Sequence, residues 1–323
     1  MHLLKILSYT RATAGGVTKG RKNDMQPEPR TLHRLEKIIV IFALAFALAL
    51  TIGFAQAAPK RKAHPQPAED AEHLFLRSNV ALVQDAISGE TVFGKNTGAV
   101  LPIASITKLM TALVLLDANV DLNQRVAVSG DDLDFLKGTR SRLRPGAVLT
   151  RDELLLIALM ASENRAAAAL ARTYPGGTDA FVRAMNAKAQ ALGMRDTRFT
   201  DPTGLSPDNV SSARDLARLV LAAHQHPVIG QYSTRESATV YALGRPIAYR
   251  NTNGLVRGGQ WDIGLSKTGY INEAGRCLVM RVKMASRDLV VVLLDSWGKY
   301  SRIGDANRIR KWLETSVVAR PST

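Results

Sequence analysis

A serine and a lysine three residues apart could form a nucleophilic pair in this chain. Ser105 and Lys108 lie in the otherwise apolar stretch LPIASITKLMTALVLLD, which reads as one buried helix. Residues three apart share a face of a helix. A serine hydroxyl needs a base to become a good nucleophile, and a lysine becomes a base when burial and a nearby cation lower its pKa. The same spacing recurs at Ser296 and Lys299, so the pair alone indicates little.

A second polar group follows the apolar run LLLIALMA. Ser162 and Asn164 form the motif Ser-Glu-Asn there, and no other Ser-x-Asn occurs in the chain. The serine could relay a proton and the asparagine amide could hold a peptide. A polar helix end is the plainer interpretation, and this motif does not decide between the two.

A third group lies in the strand-like segment WDIGLSKTGY. Lys267, Thr268 and Gly269 follow one another there, although lysine and glycine are poor strand residues. A lysine and a hydroxyl can bind a carboxylate, and a strand glycine often marks a close approach by a ligand or another backbone. An exposed edge strand that carries a repelling charge would explain Lys267, but not the glycine.

Thiol and metal chemistry are weakly indicated. Cys277 is the single cysteine and opens an alternating apolar run, which predicts a small core residue and excludes an intramolecular disulfide. His224 and His226 form the one close histidine pair, without a third ligand nearby. We therefore predict no metal site and no cofactor.

The composition predicts a globular protein with an anionic partner. The chain has 323 residues, 46% of them hydrophobic, and a net charge of +15. Eight Lys/Arg and three Asp/Glu fall in residues 1–57, so most of the excess belongs to the body. Cell-wall polymer, lipid headgroups and nucleic acid are all anionic. Nucleic acid is the least favoured, because the basic residues are interspersed with acids and form no stripe.

The N-terminal segment has the pattern of a targeting signal. Basic residues precede the apolar run IIVIFALAFALALTIGF, and Ala55-Gln56-Ala57 follows it as a small-residue cleavage site. This order is typical of a secretory signal peptide over 1–57, with Met25 as a possible start. The run could also span a membrane if it stayed uncleaved. A Pro-rich, charged linker over 58–78 follows.

The body shows a β-hairpin, then a helical middle, then an antiparallel strand block and a final helix. A Thr-x-x-Glu capping box at Thr150 starts one of the middle helices. This order predicts an α/β (α+β) fold, in which an antiparallel sheet packs against terminal helices and a helical lobe is inserted between its strands. The site would lie between sheet and lobe. The predicted domain covers 79–316, with a tail over 317–323.

Together and in this order, the three motifs resemble those of the serine penicillin-binding proteins and β-lactamases. The flanking stretches LPIASITKLMTA, ALMASENRAAAAL, DPTGLS and NTNGL are similar to the low-molecular-mass D-Ala-D-Ala peptidases, peptidase family S11, and most of all to its D-alanyl-D-alanine endopeptidase branch, of the penicillin-binding protein 7 type. The resemblance covers roughly Asn79 to Trp312. It implies the β-lactamase/DD-peptidase-like fold.

The resemblance also implies roles. Ser105 would attack a D-alanyl peptide bond in peptidoglycan, with Lys108 as its base. The positive field of Lys267 would help to lower the pKa of that lysine. Ser162 would pass a proton to the leaving amine, and Asn164 would bind the acyl side of the substrate.

The strand motif would bind the other side of the substrate. Lys267 and Thr268 would face its carboxylate, Gly269 would leave room for it, and the backbone N–H groups of Ser105 and Tyr270 would form the oxyanion hole. The expected partners are peptidoglycan stem peptides and β-lactam antibiotics, the latter as covalent inhibitors. The expected location is the periplasm, with membrane attachment if the signal is uncleaved.

Two features narrow the subtype within this resemblance. The last residues, RKWLETSVVARPST, show no long apolar face, and only 54 residues follow Gly269, which leaves no room for the extra C-terminal domain of the carboxypeptidases. No Glu-x-x-Leu-Asn segment follows Asn164, where class A β-lactamases keep their deacylating glutamate. We expect an endopeptidase that cleaves D-Ala–diamino-acid cross-links. A carboxypeptidase is the alternative; a β-lactamase or a non-catalytic wall-binding or β-lactam-sensing module is less favoured.

Overall fold

The computed structural model describes residues 74–318. The predicted signal peptide, residues 58–73 of the predicted linker and the last five residues of the chain lie outside this range. Ser78 begins the first strand, and Leu76 just before it is already buried. No helix in residues 74–318 is long and apolar enough to cross a membrane.

The described part of the chain begins with two strands of the main sheet, continues through a helical region and then returns to the sheet. The strands are β1 (Ser78–Asp85), β2 (Thr91–Lys95), β3 (Leu101–Pro102), β4 (Arg125–Ala127), β5 (Val148–Thr150), β6 (Val210–Ser211), β7 (Ser237–Ala242), β8 (Arg245–Arg250), β9 (Asp262–Ile271), β10 (Gly275–Met284) and β11 (Arg287–Ser296). The helices are α1 (Lys108–Asp117), α2 (Arg151–Met160), α3 (Asn164–Arg172), α4 (Gly177–Ala191), α5 (Ala213–His224), α6 (Pro227–Ser233), α7 (Gly254–Arg257) and α8 (Ser301–Val318), with 3-10 turns at Ala104–Thr107 and Gly130–Asp132.

The main sheet has the antiparallel strand order β2-β1-β11-β10-β9. Its central strand β11 carries the unbroken apolar run LVVVLL, because both of its faces are covered. Helix α8 covers one face, where Ile309 and Leu313 pack with Leu278 and Met280. The helical lobe covers the other face, where Val279 and Val290 join its core. The sheet therefore places β9 at an edge, next to the 3-10 turn that holds Ser105.

The helical lobe forms as its sequence predicts. Thr150 accepts from the backbone N–H of Glu153, and the Glu153 carboxylate accepts from the Thr150 N–H, so the capping box starts α2. The lobe core includes α2, α3 and α5, whose small and aliphatic side chains are almost fully buried. The α+β fold with an inserted helical lobe is confirmed.

Two local predictions differ from the structure. The segment ESATVYAL, which starts at Glu236, has a strand pattern and opens the predicted antiparallel strand block, but its strand β7 pairs with β8 in a separate two-stranded hairpin. One face of β7 is buried and the other is exposed, so its alternation predicts a strand correctly but does not say which neighbour it pairs with. The stretch from Leu101 is also not one helix, since β3 and a 3-10 turn precede α1.

Candidate active site

Ser105 and Lys108 meet at the junction of two helical segments. Ser105 lies in the 3-10 turn Ala104–Thr107, and Lys108 is the first residue of α1. The Lys108 Nζ donates to the Ser105 Oγ at 2.9 Å. Lys108 is 1% exposed, so this lysine is inside the protein and not on a solvated face.

The Lys108 ammonium has two further acceptors from the helical lobe. Its Nζ donates to the Asn164 Oδ1 at 2.7 Å and to the backbone carbonyl of Thr203 at 2.6 Å. The Asp201 carboxylate orders the loop that supplies this carbonyl, because it accepts from the backbone N–H groups of Thr203 and Gly204. Three acceptors around one nitrogen fix the position of the amine beside the serine.

Burial lowers the pKa of Lys108 from 10.5 to about 8, while the negative charges of Asp201 and Glu163 raise it in part. The resemblance implied an interaction between the charges of Lys267 and Lys108, and such an interaction is mutual, because each positive charge disfavours the other. Burial lowers the pKa of Lys267 well below its ordinary value, and the charges of Lys108 and Arg302 lower it further.

Lys267 and Ser162 form a second pair of lysine and hydroxyl. The Lys267 Nζ donates to the Ser162 Oγ at 2.9 Å, although 105 positions separate the residues in the chain. Lys267 is 1% exposed. Strand β9 does lie at a sheet edge, but a buried lysine cannot repel other strands, so the edge-strand alternative is wrong.

Strained backbone surrounds both hydroxyls. Ser162 has a φ of 60° in the loop between α2 and α3, and Ala104, just before Ser105, has a φ of 47°. A non-glycine residue in this region costs about 1–2 kcal/mol. Such strain persists where the surroundings hold it, which is common at functional sites.

Glycines allow the close contact between β9 and the serine turn. A Cβ at Gly269 would lie 2.8 Å from the Ile103 carbonyl oxygen and 3.2 Å from the Ser105 nitrogen. A Cβ at Gly204 would lie 2.0 Å from the Ala104 carbonyl oxygen. Gly269 is thus required by the approach of another backbone, one of the two reasons that the sequence left open.

The remaining predicted residues lie on the same strand. The hydroxyls of Thr268 and Thr252 are 2.6 Å apart. Tyr270 is half exposed, and the guanidinium of Arg276 lies 4.5 Å from the centre of its ring. All eight predicted site residues therefore lie on three segments, Ala104–Lys108, Ser162–Asn164 and β9, which hydrogen bonds and close packing join.

Sequence reasoning missed four residues at this site. Thr203 and Thr252 occur in the stretches DPTGLS and NTNGL, to which the sequence assigns no chemical role. Arg302 donates to the carbonyl oxygens of Gly269 and Cys277 at 2.9 and 3.0 Å, and no motif points to it. Thr139 contacts Asn164 and lies in a turn-rich segment that gives no signal.

The other groups considered for chemistry are not assembled into sites. Ser296 ends β11, and the Lys299 Nζ lies 5.5 Å from the ring centre of Tyr300. Cys277 is fully buried, and burial raises the pKa of its thiol to about 11. Within residues 74–318, no group of three or more His, Cys, Asp or Glu side chains could hold a metal ion.

Comparisons with known proteins agree on one family. Residues 66–297 match the family model Peptidase S11, described as D-alanyl-D-alanine carboxypeptidase. A D-alanyl-D-alanine endopeptidase of Pseudomonas aeruginosa is 44% identical over 292 residues, which are 88% of this chain and 90% of that protein. A protein of the same name from Escherichia coli is 44% identical over 282 residues, 87% of this chain and 89% of that protein.

Solved structures show the same fold. A D-alanyl-D-alanine carboxypeptidase of Mycobacterium tuberculosis is 29% identical, with a TM-score of 0.69 over 80% of this chain and 97% of that one. The DD-transpeptidase of Streptomyces K15 has a TM-score of 0.69 over 75% of this chain and 98% of that one. At 24% identity, this second likeness concerns the fold alone.

Proposed function

We propose that this chain, which belongs to the peptidase S11 family of D-alanyl-D-alanine carboxypeptidases, is a serine-type D-Ala-D-Ala peptidase that acts through an acyl-enzyme on Ser105. The observation that carries the proposal is the 2.9 Å contact between the Lys108 Nζ and the Ser105 Oγ inside a buried, polar site. Family membership and the two relatives at 44% identity support the same reaction.

Acylation begins with proton transfer from Ser105 to Lys108. With its pKa lowered to about 8 by burial, a usable fraction of the amine is neutral near neutral pH. The Ser105 Oγ then attacks the carbonyl carbon of a D-alanyl peptide bond, and the C–N bond breaks. Ser162 relays that proton to the leaving amine: it gives up its own hydroxyl proton and takes the one held by Lys108, while Lys267 donates a hydrogen bond to its oxygen. Water later hydrolyses the ester and frees the serine.

The substrate is held from two sides. The amide of Asn164 binds its acyl side, and Lys267 with Thr268 faces the carboxylate of its leaving side. A bound carboxylate favours the charged form of Lys267. The N–H groups of Ser105 and Tyr270 stabilise the tetrahedral oxyanion, since Gly269 brings the two backbones together.

Among peptidase substrates, we propose the cross-link between D-Ala and a diamino acid of a neighbouring peptidoglycan stem. The relatives named D-alanyl-D-alanine endopeptidase are 38–44% identical, whereas the relatives named D-alanyl-D-alanine carboxypeptidase are 28–33% identical. A carboxypeptidase is the second candidate, because the family description names that activity. β-Lactams are proposed as covalent inhibitors of the same serine.

We propose that the protein is exported to the periplasm and that its signal peptide is cleaved near Ala57. The observations that support it are the order of basic, apolar and small residues in the N-terminal sequence and a substrate class that lies outside the cytoplasm. N-terminal sequencing of the exported protein tests the cleavage site directly.

The experiment that tests the function combines a covalent label with product analysis. Intact mass spectrometry after penicillin treatment should show one adduct, and peptide mapping should place it on Ser105. Purified cross-linked muropeptide dimers should become monomers, whereas release of terminal D-Ala alone would favour the carboxypeptidase. A folded Ser105→Ala variant should show neither adduct nor hydrolysis, and normal labelling of that variant would disprove the assignment.

A further inference from the structure

Both ends of the Asn164 side-chain amide are occupied. Its Oδ1 accepts from the Lys108 Nζ at 2.7 Å, and its Nδ2 donates to the Thr139 Oγ1 at 3.1 Å. An ammonium can only donate, and a neutral Lys108 amine, whose lone pair serves the Ser105 proton, still has two hydrogens for Asn164 and Thr203, so the oxygen end of the amide faces Lys108 and the nitrogen end faces Thr139. An amide nitrogen has two hydrogens, and one of them is left for a substrate carbonyl.

The direction of the hydrogen bonds at Thr139 is also determined. Its hydroxyl donates to the Asp134 Oδ2 at 2.6 Å, and its backbone N–H donates to the same oxygen at 2.8 Å. Because the single hydroxyl proton goes to the carboxylate, the threonine oxygen can only accept from Asn164. Asn164 thus donates to Thr139, and Thr139 donates to the Asp134 carboxylate. In a chain of this kind each hydrogen bond polarises and strengthens the next.

The carboxylate at the end of this chain stays ionised. Burial would raise the pKa of Asp134, but hydrogen bonds from Thr139 and from the backbone N–H groups of Lys137 and Leu136 hold it below 3.8. Those two backbone groups donate to the Asp134 Oδ1, both at 2.9 Å. The turn is therefore organised around one charged acceptor.

Core packing contributes little to this turn. The side chains of Phe135 and Leu136 are 83% and 68% exposed. Beneath the turn, a cavity of about 450 Å³ extends to the loop of Asp201 and Thr203. Removal of one hydroxyl here leaves the core unchanged, so its effect on Asn164 can be measured without loss of the fold.

We propose that Thr139 is a positioning residue, which sets the orientation of the Asn164 amide for the acyl side of the substrate. This inference rests on the proposed function, since it needs the substrate contact of Asn164. Without the hydroxyl, the amide can turn about its last side-chain bond. A turned amide directs its nitrogen at Lys108, donor against donor, and the substrate loses a fixed partner.

The test compares rates of acylation by penicillin in four proteins. Thr139→Val keeps the shape of the side chain and should lower the second-order rate constant about tenfold, as expected for one lost hydrogen bond to a polar partner. Thr139→Ser keeps the hydroxyl and should retain the wild-type rate. Thr315→Val is the matched control, because its hydroxyl bonds to backbone carbonyls of its own helix, far along the chain. Thr139→Val also loses the hydrogen bond to Asp134, so its thermal midpoint should fall by a few degrees while all four proteins stay folded at the assay temperature.

A double-mutant cycle separates positioning from a general structural role. In the Asn164→Ala protein, the added Thr139→Val change should alter the rate by less than about twofold, since the hydroxyl acts through the missing amide. An equal tenfold loss in both backgrounds would overturn the inference, as would a wild-type rate in Thr139→Val. A wild-type protein that penicillin does not acylate would instead overturn the proposed function.

Discussion

The Nζ of Lys267 lies 2.9 Å from the Oγ of Ser162, and the Nζ of Lys108 lies 2.9 Å from the Oγ of Ser105. The site thus contains two buried lysine–hydroxyl pairs with different environments. Lys108 is surrounded by three acceptors, whereas Lys267 has a lysine and an arginine as charged neighbours. The charges of Asp201 and Glu163 therefore favour the charged form of Lys108, whereas those of Lys108 and Arg302 oppose the charged form of Lys267.

Replacement of Lys108 by methionine should abolish acylation and keep the fold. The loss of the base predicts a rate decrease of about 10²–10⁴-fold. Methionine fills similar space and removes the cost of a buried amine, which offsets the donor that three acceptors lose, so the free energy of unfolding should change by at most about 2 kcal/mol. Stopped-flow acylation and thermal unfolding measure the two effects. Lys188→Met, at a partly exposed position, is the control, and a fully active Lys108→Met enzyme would refute the role of the base.

Acylation should accelerate with pH through a midpoint near the Lys108 pKa of about 8. Only the neutral amine accepts the serine proton, so the rate rises as pH increases and reaches a plateau above that value. Because the Glu163 charge raises this pKa, Glu163→Gln should move the midpoint to lower pH. Rates of penicillin acylation between about pH 6 and 10 test both statements.

The matched control for this pH shift is Glu314→Gln, on the exposed side of α8. Its profile should coincide with that of the wild type. An unchanged midpoint in Glu163→Gln would show that this carboxylate does not act on the base.

Gly269→Ala should slow acylation while the chain still folds. The new Cβ would lie 2.8 Å from the Ile103 oxygen and 3.1 Å from the Ala104 Cβ, so β9 must move away from the serine turn. Loss of one oxyanion donor typically lowers the rate about 10²–10³-fold. Gly130→Ala is the control, since its Cβ would meet no atom within 4 Å. Equal rates for both variants would contradict the close-approach argument.

Because the backbone at Ser162 is strained, two substitutions there should lower activity alike but differ in their effect on stability. Both Ser162→Ala and Ser162→Gly lose the hydroxyl and should react at least about 10²-fold more slowly. Glycine tolerates the φ of 60°, so the glycine variant should be more stable than the alanine variant by about 1 kcal/mol. Denaturant unfolding measures this difference. The reverse order of stability would mean that the backbone there carries no strain.

An ion pair joins the Thr139 turn to the sheet. The Lys137 Nζ lies 2.5 Å from the Glu273 Oε1, and Glu273 lies just after β9. Both groups are partly exposed, and salt screens such pairs. Glu273→Gln should therefore remove part of the salt dependence of cross-link hydrolysis and leave the thermal midpoint unchanged. A salt response identical to that of the wild type would show that the pair is incidental.

Local features followed from the sequence alone. The capping box at Thr150 depends only on residues three apart in the chain, so its spacing predicts where the helix starts. The apolar run of β11 shows that both faces of this strand are covered, so its pattern predicts a buried strand. The Ser105–Lys108 pair belongs to this class, because a separation of three residues fixes the contact within one helical turn. Lys108 therefore lies in a helix and Lys267 in a strand, as predicted, whereas Ser105 lies in a 3-10 turn just before that helix.

Contacts between distant segments were decided by the tertiary structure. Lys108 and the carbonyl of Thr203 are 95 positions apart, and Lys137 and Glu273 are 136 apart. Such pairs depend on which elements pack together and at what angle, and a hydrophobic pattern shows only that a face is covered. For the same reason, the sequence predicted β7 as a strand but did not predict that it pairs with β8 outside the main sheet. The sequence by itself determined the chemical groups; the packing of β9 and the helical lobe around Ser105 decided their pKa values and their hydrogen-bond partners.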